Sequence, residues 1–417
     1  MFGLHFSRLG SVNILAPINR ALSFISALSS SITPQRGSAA TFTRSTTATY
    51  VDDSGVIQTA AINTPRFQGG KFLSEPARTN SVRNNTMVGA VAGTPGTLPT
   101  NWSYSPGPGL TFSVLGSGVE DGINYLDVRW VGTTSSAWAI GVLSEPSTSV
   151  AAVIGQTWVS SAFVRLMAGS LANCAFGVGI IEVNAGNAYL TGSSQSITPD
   201  SRPLAQSRFS VTRVLTNAST AAVYQYVYGP VSSGVAIDVT LRVGMPQLEQ
   251  GKVMSSVIAT TTAAVTRAAD SLTYPVTASP TQGGFSCTLV PAEAPPTAGY
   301  YYAVGLLGAS NADALGLYIH ANSNLYVYAR RAGVPTFDLF LSAAASGTTY
   351  KVAISWAGTA IRASINGGAV ISGTASNMPT SLISFNNSID TAWNGQISDV
   401  KVFTQALSDT TLRQLTT

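Results

Sequence analysis

Eighteen acidic residues are spread over 417 positions, and their spacing decides what chemistry the chain can attempt. Hydrolysis of a glycosidic bond needs two carboxyl groups that face each other, one as acid and one as base or nucleophile. Asp52 and Asp53 stand in a turn, DDSG, where Asp is favoured because its side chain bonds its own backbone. Glu182, Asp238, Glu249, Asp270 and Asp399 lie singly on or beside β-prone runs, and nothing in their spacing brings two together. His5 and His320 are the only histidines, and there is no CxxC or HExxH pattern. A histidine-bearing metal centre or a His-based triad therefore has little to be built from. Cys174 and Cys287 lie far apart and read as free core thiols. This reading assigns no catalytic residue, no metal ligand and no cofactor.

Aromatic side chains are the other chemistry-bearing group, because sugars lay their C–H faces on Trp and Tyr rings beside a few polar groups. In TWVSSAFVR (157–165), Trp158 shares a side with Ala162 and Val164, and in TYKVAISW (349–356) Trp356 shares one with Val352 and Ile354. Both read as core anchors, and Trp130 and Trp138 are similarly placed. LYVYARR (325–331) differs: Leu325, Val327 and Ala329 point one way, and Tyr326, Tyr328 and Arg330 the other. That face is either an exposed ligand platform or an interface with a neighbouring subunit. Tyr300, Tyr301 and Tyr302 form a second aromatic cluster at an expected strand start, open to the same two readings. His320 reads as a strand-end surface residue.

The elements that must carry these residues are β-strands. Hydrophobic residues make up 45% of the chain and charged residues only 10%, far below the roughly 25% of ordinary soluble domains. Exposed helix faces are normally built from Lys, Glu and Arg, whereas Thr, Ser and Tyr suit the outer faces of sheets. Short β-prone runs separated by Gly/Ser/Asn/Pro turns recur from about 81 to 264 and again from about 275 to the end. In AIDVTLRVGMPQLEQG (236–251), Ile237, Val239, Leu241 and Val243 alternate with Asp238, Thr240 and Arg242, the period of a half-buried strand. Many such runs without intervening helices indicate β-sandwiches. Asn366-Gly367 marks a hairpin turn, and Ser408 is placed to cap a short C-terminal helix.

One good helical period lies in NILAPINRALSFISALSSSI (13–32), where Ile18, Ile25 and Ile32 fall seven apart with Leu22 and Leu28 between them. It reads as a short helix, either packed on its own domain or serving as an arm that joins sister chains or a larger assembly. Thr41 to Val51 and Val56 to Ile62 read as a hairpin closed by Gly55. PRFQGGKFLSEPARTN (65–80) follows as a connector whose Arg66, Glu75 and Arg78 form at most weak exposed pairs. The start loosely resembles a signal peptide, but Arg20 interrupts its apolar part, so cleavage is not expected. No apolar run reaches the 18 or so residues needed to span a bilayer. The formal charge of +4 is small, and the four lysines, Lys71, Lys252, Lys351 and Lys401, are scattered. A nucleic-acid partner is not expected.

FTRSTTATYVDDSGVIQTAAINTPRF (42–67) followed by EPARTN (75–80) resembles a segment that recurs in tailed-bacteriophage virion proteins. There it precedes a jelly roll similar to carbohydrate-binding modules. DVTLRVGMPQLEQGKVMSSVIAT (238–260) looks like the last strand and exit of that module, followed by VTRAAD (265–270). INGG (365–368) and GQISDVKVFTQALSDTTLRQL (395–415) are similar to the end of concanavalin-like, laminin-G-type sandwiches. The connector before EPARTN is shorter and less acidic than the family's usual one. The resemblance implies an all-β chain: an arm at 1–35, a hairpin and connector at 36–80, a jelly roll at 81–264 and a second sandwich at 265–417. It further implies a non-enzymatic fibre, spike or tail component of the virion, homo-oligomeric and most simply trimeric. Its expected partners are other virion proteins and host-surface polysaccharide, with no membrane insertion. The rival expectations are a capsid-decorating protein without a receptor role and a glycan depolymerase.

Overall fold

The computed structural model describes residues 22–146, 150–198, 202–293, 301–389 and 391–417. It is an all-β chain of two antiparallel sandwiches. The first pairs a five-stranded sheet, in the order Arg208–Val214, Thr157–Gly169, Ala236–Gln250, Ile123–Thr133, Leu110–Glu120, with a six-stranded one. The latter runs Tyr189–Ser196, Gly177–Val183, Ala222–Val231, Trp138–Ser144, Trp102–Ser105, with Val150–Ala151 also on Ala222–Val231. Ile237, Val239, Leu241 and Val243 alternate into the core between the sheets, as their period requires. Trp130 lies at its centre, fully buried, with ring centroids 5.1 Å from Phe112 and 5.6 Å from Phe176. Its indole N–H donates to the Ser105 carbonyl at 3.1 Å, so the large ring is buried without orphaning its donor.

The second sandwich is discontinuous in sequence. Its seven-stranded sheet runs Thr41–Thr43, Ser271–Ala278, Leu382–Asn386, Tyr301–Leu307, Ala314–His320, Asn324–Arg331, Val334–Ala343. Its eight-stranded sheet runs Ile371–Thr374, Ala360–Ile365, Tyr350–Ala357, Gln282–Pro291, Gly395–Phe403, Lys71–Ser74, Arg66–Gln68, with Leu22–Ser26 also on Gly395–Phe403. The connector thus supplies strands to the second sandwich, and Thr41–Thr43 joins a sheet instead of the hairpin. The hairpin itself forms between Ala48–Val51 and Ile57–Ala60. Trp356, Trp393, Tyr274, Phe285 and Phe385 fill this core together with Phe24 and Phe72 from the N-terminal third.

The expected helix over 13–32 is corrected where it is described. Leu22–Ser26 is a strand, and Leu22, Phe24, Ser26 and Leu28 are buried in alternation. Ser and Phe are mediocre helix formers, and the open edge of Gly395–Phe403 offers a ladder that a lone three-turn helix lacks. Leu22 packs with Phe403 and Leu412, Leu28 lies in the main core of the second sandwich, and Ile32 packs against that core. Ile25 is half-buried and bonds through its backbone with Arg36. These residues cover their own sandwich, and Ile18 lies outside the described residues.

Local sequence signals hold elsewhere. Asn366 and Gly367 take φ of 48° and 72° between Ala360–Ile365 and Ile371–Thr374. The Ser408 hydroxyl accepts the Thr411 N–H at 3.1 Å at the start of helix Asp409–Thr416. Cys174 and Cys287 are free and buried, and burial pushes the Cys174 thiol up to about 11.

Candidate functional site

In LYVYARR the alternation is as read: Leu325, Val327 and Ala329 are fully buried in the core, which turns Tyr326, Tyr328 and Arg330 to the outer face of the seven-stranded sheet. Tyr326 stands opposite Tyr318 on one neighbouring strand and Phe340 on the other. The Tyr318 and Tyr326 rings are stacked, with centroids 5.1 Å apart and planes at 13°, and Phe340 meets Tyr326 edge-on at 5.8 Å. Phe340 is 52% exposed, and the two tyrosines are half-buried. Three rings on three adjacent strands make one row of apolar surface. Asn322 and Asn324 donate to the Tyr326 hydroxyl at 3.3 and 3.5 Å, and so place amides at its end.

Tyr328 is not part of the exposed platform. It is 4% exposed and packs with Ala303, Leu307, Ala314 and Ile389, the last from the loop that follows strand Leu382–Asn386. Beside it Gly316 and Gly305 are in register, and a Cβ on Gly305 would stand 2.5 Å from the Gly316 Cα. The close approach of these two strands thus leaves room for no side chain there. Arg330 donates to the Asn311 carbonyl, and Asn311 donates to that of Ile389, so this end of the face is tied to the covering loop. His320 is half-buried at its strand end and accepts the Asn322 N–H through Nδ1 at 3.3 Å. Asp338 stands opposite Tyr328. Desolvation beside the rings pushes its carboxyl above the ordinary range, against the pull of a Tyr318 hydrogen bond and of His320, although much of its surface stays exposed. Tyr300 lies outside the described residues; the backbone of Tyr301 and Tyr302 starts strand Tyr301–Leu307, opposite His320 and Ile319.

The tryptophans divide. Trp130, Trp158 and Trp356 are core residues, at most 5% exposed. Trp138 is a correction: it shares a face with the buried Ile140 and Val142, but its strand end runs past the rim of the core, leaving it 55% exposed. Its indole N–H donates to the Ser105 hydroxyl at 2.8 Å. A bowl of about 760 Å³ lies at the end of the first sandwich, walled by Thr79, Thr266, Gln156, Gln250 and Arg78. Trp158 contributes little ring surface to it, because it is only 5% exposed, and its indole N–H donates to the Gln156 side-chain carbonyl at 3.0 Å. The aromatic row, not the large bowl, has the chemistry for an apolar sugar face.

Five of the acidic residues singled out in the sequence are held by hydrogen bonds. Asp52 closes its own turn, accepting the N–H groups of Ser54 and Val56 at 2.9 and 3.0 Å. Glu182 accepts from Arg213 and Thr220, each at 2.5 Å, and Asp238 from Arg129 at 2.9 Å. Glu249 accepts the Ser255 N–H at 3.0 Å, and Asp399 the Ser398 hydroxyl at 3.2 Å.

Two carboxyl pairs do converge, each with an arginine between. Arg66 bonds Glu75 at 2.8 Å and Asp270 at 2.5 Å; Arg44 reaches Asp270 at 2.9 Å, and Arg267 lies 3.1 Å from Glu75. All five side chains are at most 7% exposed. Other guanidinium donors reach backbone carbonyls of Thr46, Thr49, Ala61 and Pro76, so the cluster binds hairpin, connector and second sandwich into one body. Burial alone would raise the Glu75 carboxyl, but Arg267, Arg66 and two hydrogen bonds from Ser256 outweigh it and hold it down at about 2. The weak exposed pairing expected for the connector is therefore corrected: Arg66–Glu75 is buried, and Arg78 bonds Glu293 instead. Arg44, Arg66, Glu75, Arg267 and Asp270 are, with Arg78, the charged residues of FTRS, TPRF, EPARTN and VTRAAD, and the structure brings those four separated segments together. The second convergence, Glu120 and Asp127 on Arg242, lies on the outer face of the first sandwich. Among the described residues no group of three or more His, Cys, Asp or Glu is placed to hold a metal ion, and no helix is long and apolar enough to cross a membrane.

No protein-family model matches the chain, and no curated protein does. Solved structures give partial likenesses. Domain 4 of AbnA, a GH43 extracellular arabinanase from Geobacillus stearothermophilus in complex with arabinotriose, is 18% identical over 36% of this chain and 73% of that one, with a TM-score of 0.29. The CBM40 of Ruminococcus gnavus IT-sialidase bound to α2,6-sialyllactose is 16% identical over 33% and 83%, with a TM-score of 0.25. The CBM22-1–CBM22-2 tandem of Paenibacillus barcinonensis Xyn10C is 10% identical over 76% and 100%, also at 0.25. Likenesses this slight carry no functional argument.

Proposed function

We propose that this chain is a non-enzymatic structural protein of a tailed-phage virion, a fibre, spike or tail component, that contacts host-surface glycans through the row Tyr318–Tyr326–Phe340. The observation that carries the reading is a division of labour among side chains. The carboxyl groups that converge do so around arginines. Glu75, held ionised far below neutrality, has no proton to give as a general acid. The outward rings, by contrast, stack in the open beside amides. The N-terminal segments that resemble virion proteins serve as the clasp that holds the body together, which suits a part built for rigidity. A homo-oligomer, most simply a trimer, is part of the proposal.

Titration of the purified chain with host-surface oligosaccharides tests the glycan contact. Binding in the millimolar range or tighter is expected, with at least a tenfold loss in Tyr326→Ala and no change in thermal midpoint beyond a few degrees. Absence of binding would remove the glycan role, and release of new reducing ends from capsule or lipopolysaccharide would establish a depolymerase. Antibody labelling of intact particles tests the virion assignment, with label on tail or spikes as the expected result.

A further inference from the structure

A cavity of about 310 Å³ opens beside the arginine clasp, where hairpin, connector and first sandwich meet. Its walls include Tyr50, Gln68, Phe163, Arg208, Met254 and Ser256. Arg208, the first residue of strand Arg208–Val214, differs from its neighbours in the clasp. Arg44, Arg66 and Arg267 each lie on a carboxylate, but Arg208 donates only to neutral acceptors: the Ser255 carbonyl at 2.8 Å and the Ser161 hydroxyl at 2.9 Å. Like those of Arg66 and Arg267, its Nε makes no hydrogen bond, and its guanidinium lies 5.3 Å from the Phe163 ring centroid.

The carboxylates nearby are already engaged. Glu75 lines the cavity, but one oxygen accepts the Ser256 N–H and the other accepts Arg66 and the Ser256 hydroxyl. Both oxygens of Glu249 accept from Ser255. Asp121 touches the rim through the Ala205 N–H at 3.5 Å. Arg208 stands beside the clasp within electrostatic range of Glu249 and Glu75 and hydrogen-bonds neither. Arg208 is half-buried with no carboxylate hydrogen-bonded to its guanidinium, and an arginine fork suits a planar or tetrahedral oxyanion.

We infer that this cavity is a binding site for a small oxyanion, carboxylate or phosphate in type, held by Arg208 with polar support from Gln68. It does not depend on the aromatic row. An occupant would touch both sandwiches and the hairpin at once and so stabilise their junction by mass action.

The test is the thermal midpoint of the full chain in sodium acetate, inorganic phosphate, D-glucuronate and D-glucose, with ionic strength fixed by sodium chloride. Midpoints a few degrees higher in the three anions than in chloride or glucose are expected, with at least tenfold weaker apparent affinity in Arg208→Gln. Equal shifts for acetate, phosphate and glucuronate identify a free oxyanion as the occupant, and a larger shift for glucuronate identifies an acidic sugar. Should Arg208→Gln fail to fold, Met254→Trp fills the cavity mouth and is expected to melt like the parent in chloride while losing the anion response. No anion-specific shift in the parent, or the same shift in a folded variant, overturns the site.

Discussion

Two arginine–carboxylate networks in this molecule use the same chemistry in opposite surroundings. The clasp of Arg44, Arg66, Arg267, Glu75 and Asp270 is buried where three parts of the chain meet. The second network, Arg242 and Arg165 with Glu120 and Asp127, lies across the outer face of the five-stranded sheet with side chains 13–23% exposed. Its Arg242 guanidinium also lies 3.5 Å from the Tyr125 ring centroid. In the clasp every charge has left water, so each partner is indispensable to the others. On the sheet face, water compensates any partner that is lost. Geometry alone therefore does not rank ion pairs; burial does.

The largest expected break in this contrast is Asp270→Asn. It leaves Arg44 and Arg66 buried without their shared counter-charge and should cost about 3–5 kcal/mol, read as a fall in the urea midpoint. A loss under 1 kcal/mol would mean that water enters the clasp. Next comes acid. The unfolded Glu75 carboxyl, with its ordinary value near 4.5, takes up a proton before the folded one at about 2 does. The stabilisation is therefore complete above pH 4.5 and is lost as pH falls towards 2, on the order of 3 kcal/mol for this group. Urea midpoints between pH 6 and 2 measure it, and Glu75→Gln should flatten that slope. The smallest effect is expected from Arg242→Gln, about 1 kcal/mol and shrinking in high salt. A cost as large as that of Asp270→Asn would erase the distinction between the two sites.

The same contrast separates what was legible in the residues from what was not. Alternation identified the strands, because one buried face imposes period two: Leu325, Val327 and Ala329 went in and Tyr326 went out as read. Turn chemistry identified Asn366-Gly367, and the cap at Ser408 identified the last helix. Spacing misled at 22–32: Ile25 and Ile32, seven apart, fit a helical face, whereas Leu22, Phe24 and Leu28, an even number apart, fit one face of a strand, and the free edge of Gly395–Phe403 decided between them. Phe340 and Tyr318 were missed because a row across strands is set by register, which no single run of residues displays. Trp138 and Tyr328 exchanged exposure because a strand end and a covering loop lie outside the alternation rule.

By itself the sequence determined the all-β architecture, since low charge, β-branched residues and period-two patterning leave sheets as the packing that buries enough apolar surface. Tertiary structure alone decided which charges meet. Arg44 and Asp270 are 226 residues apart, and Arg66 and Asp270 are 204 apart. An ion pair becomes structural when the chain's closure removes both partners from water, and that closure depends on the order of strands in the sheets.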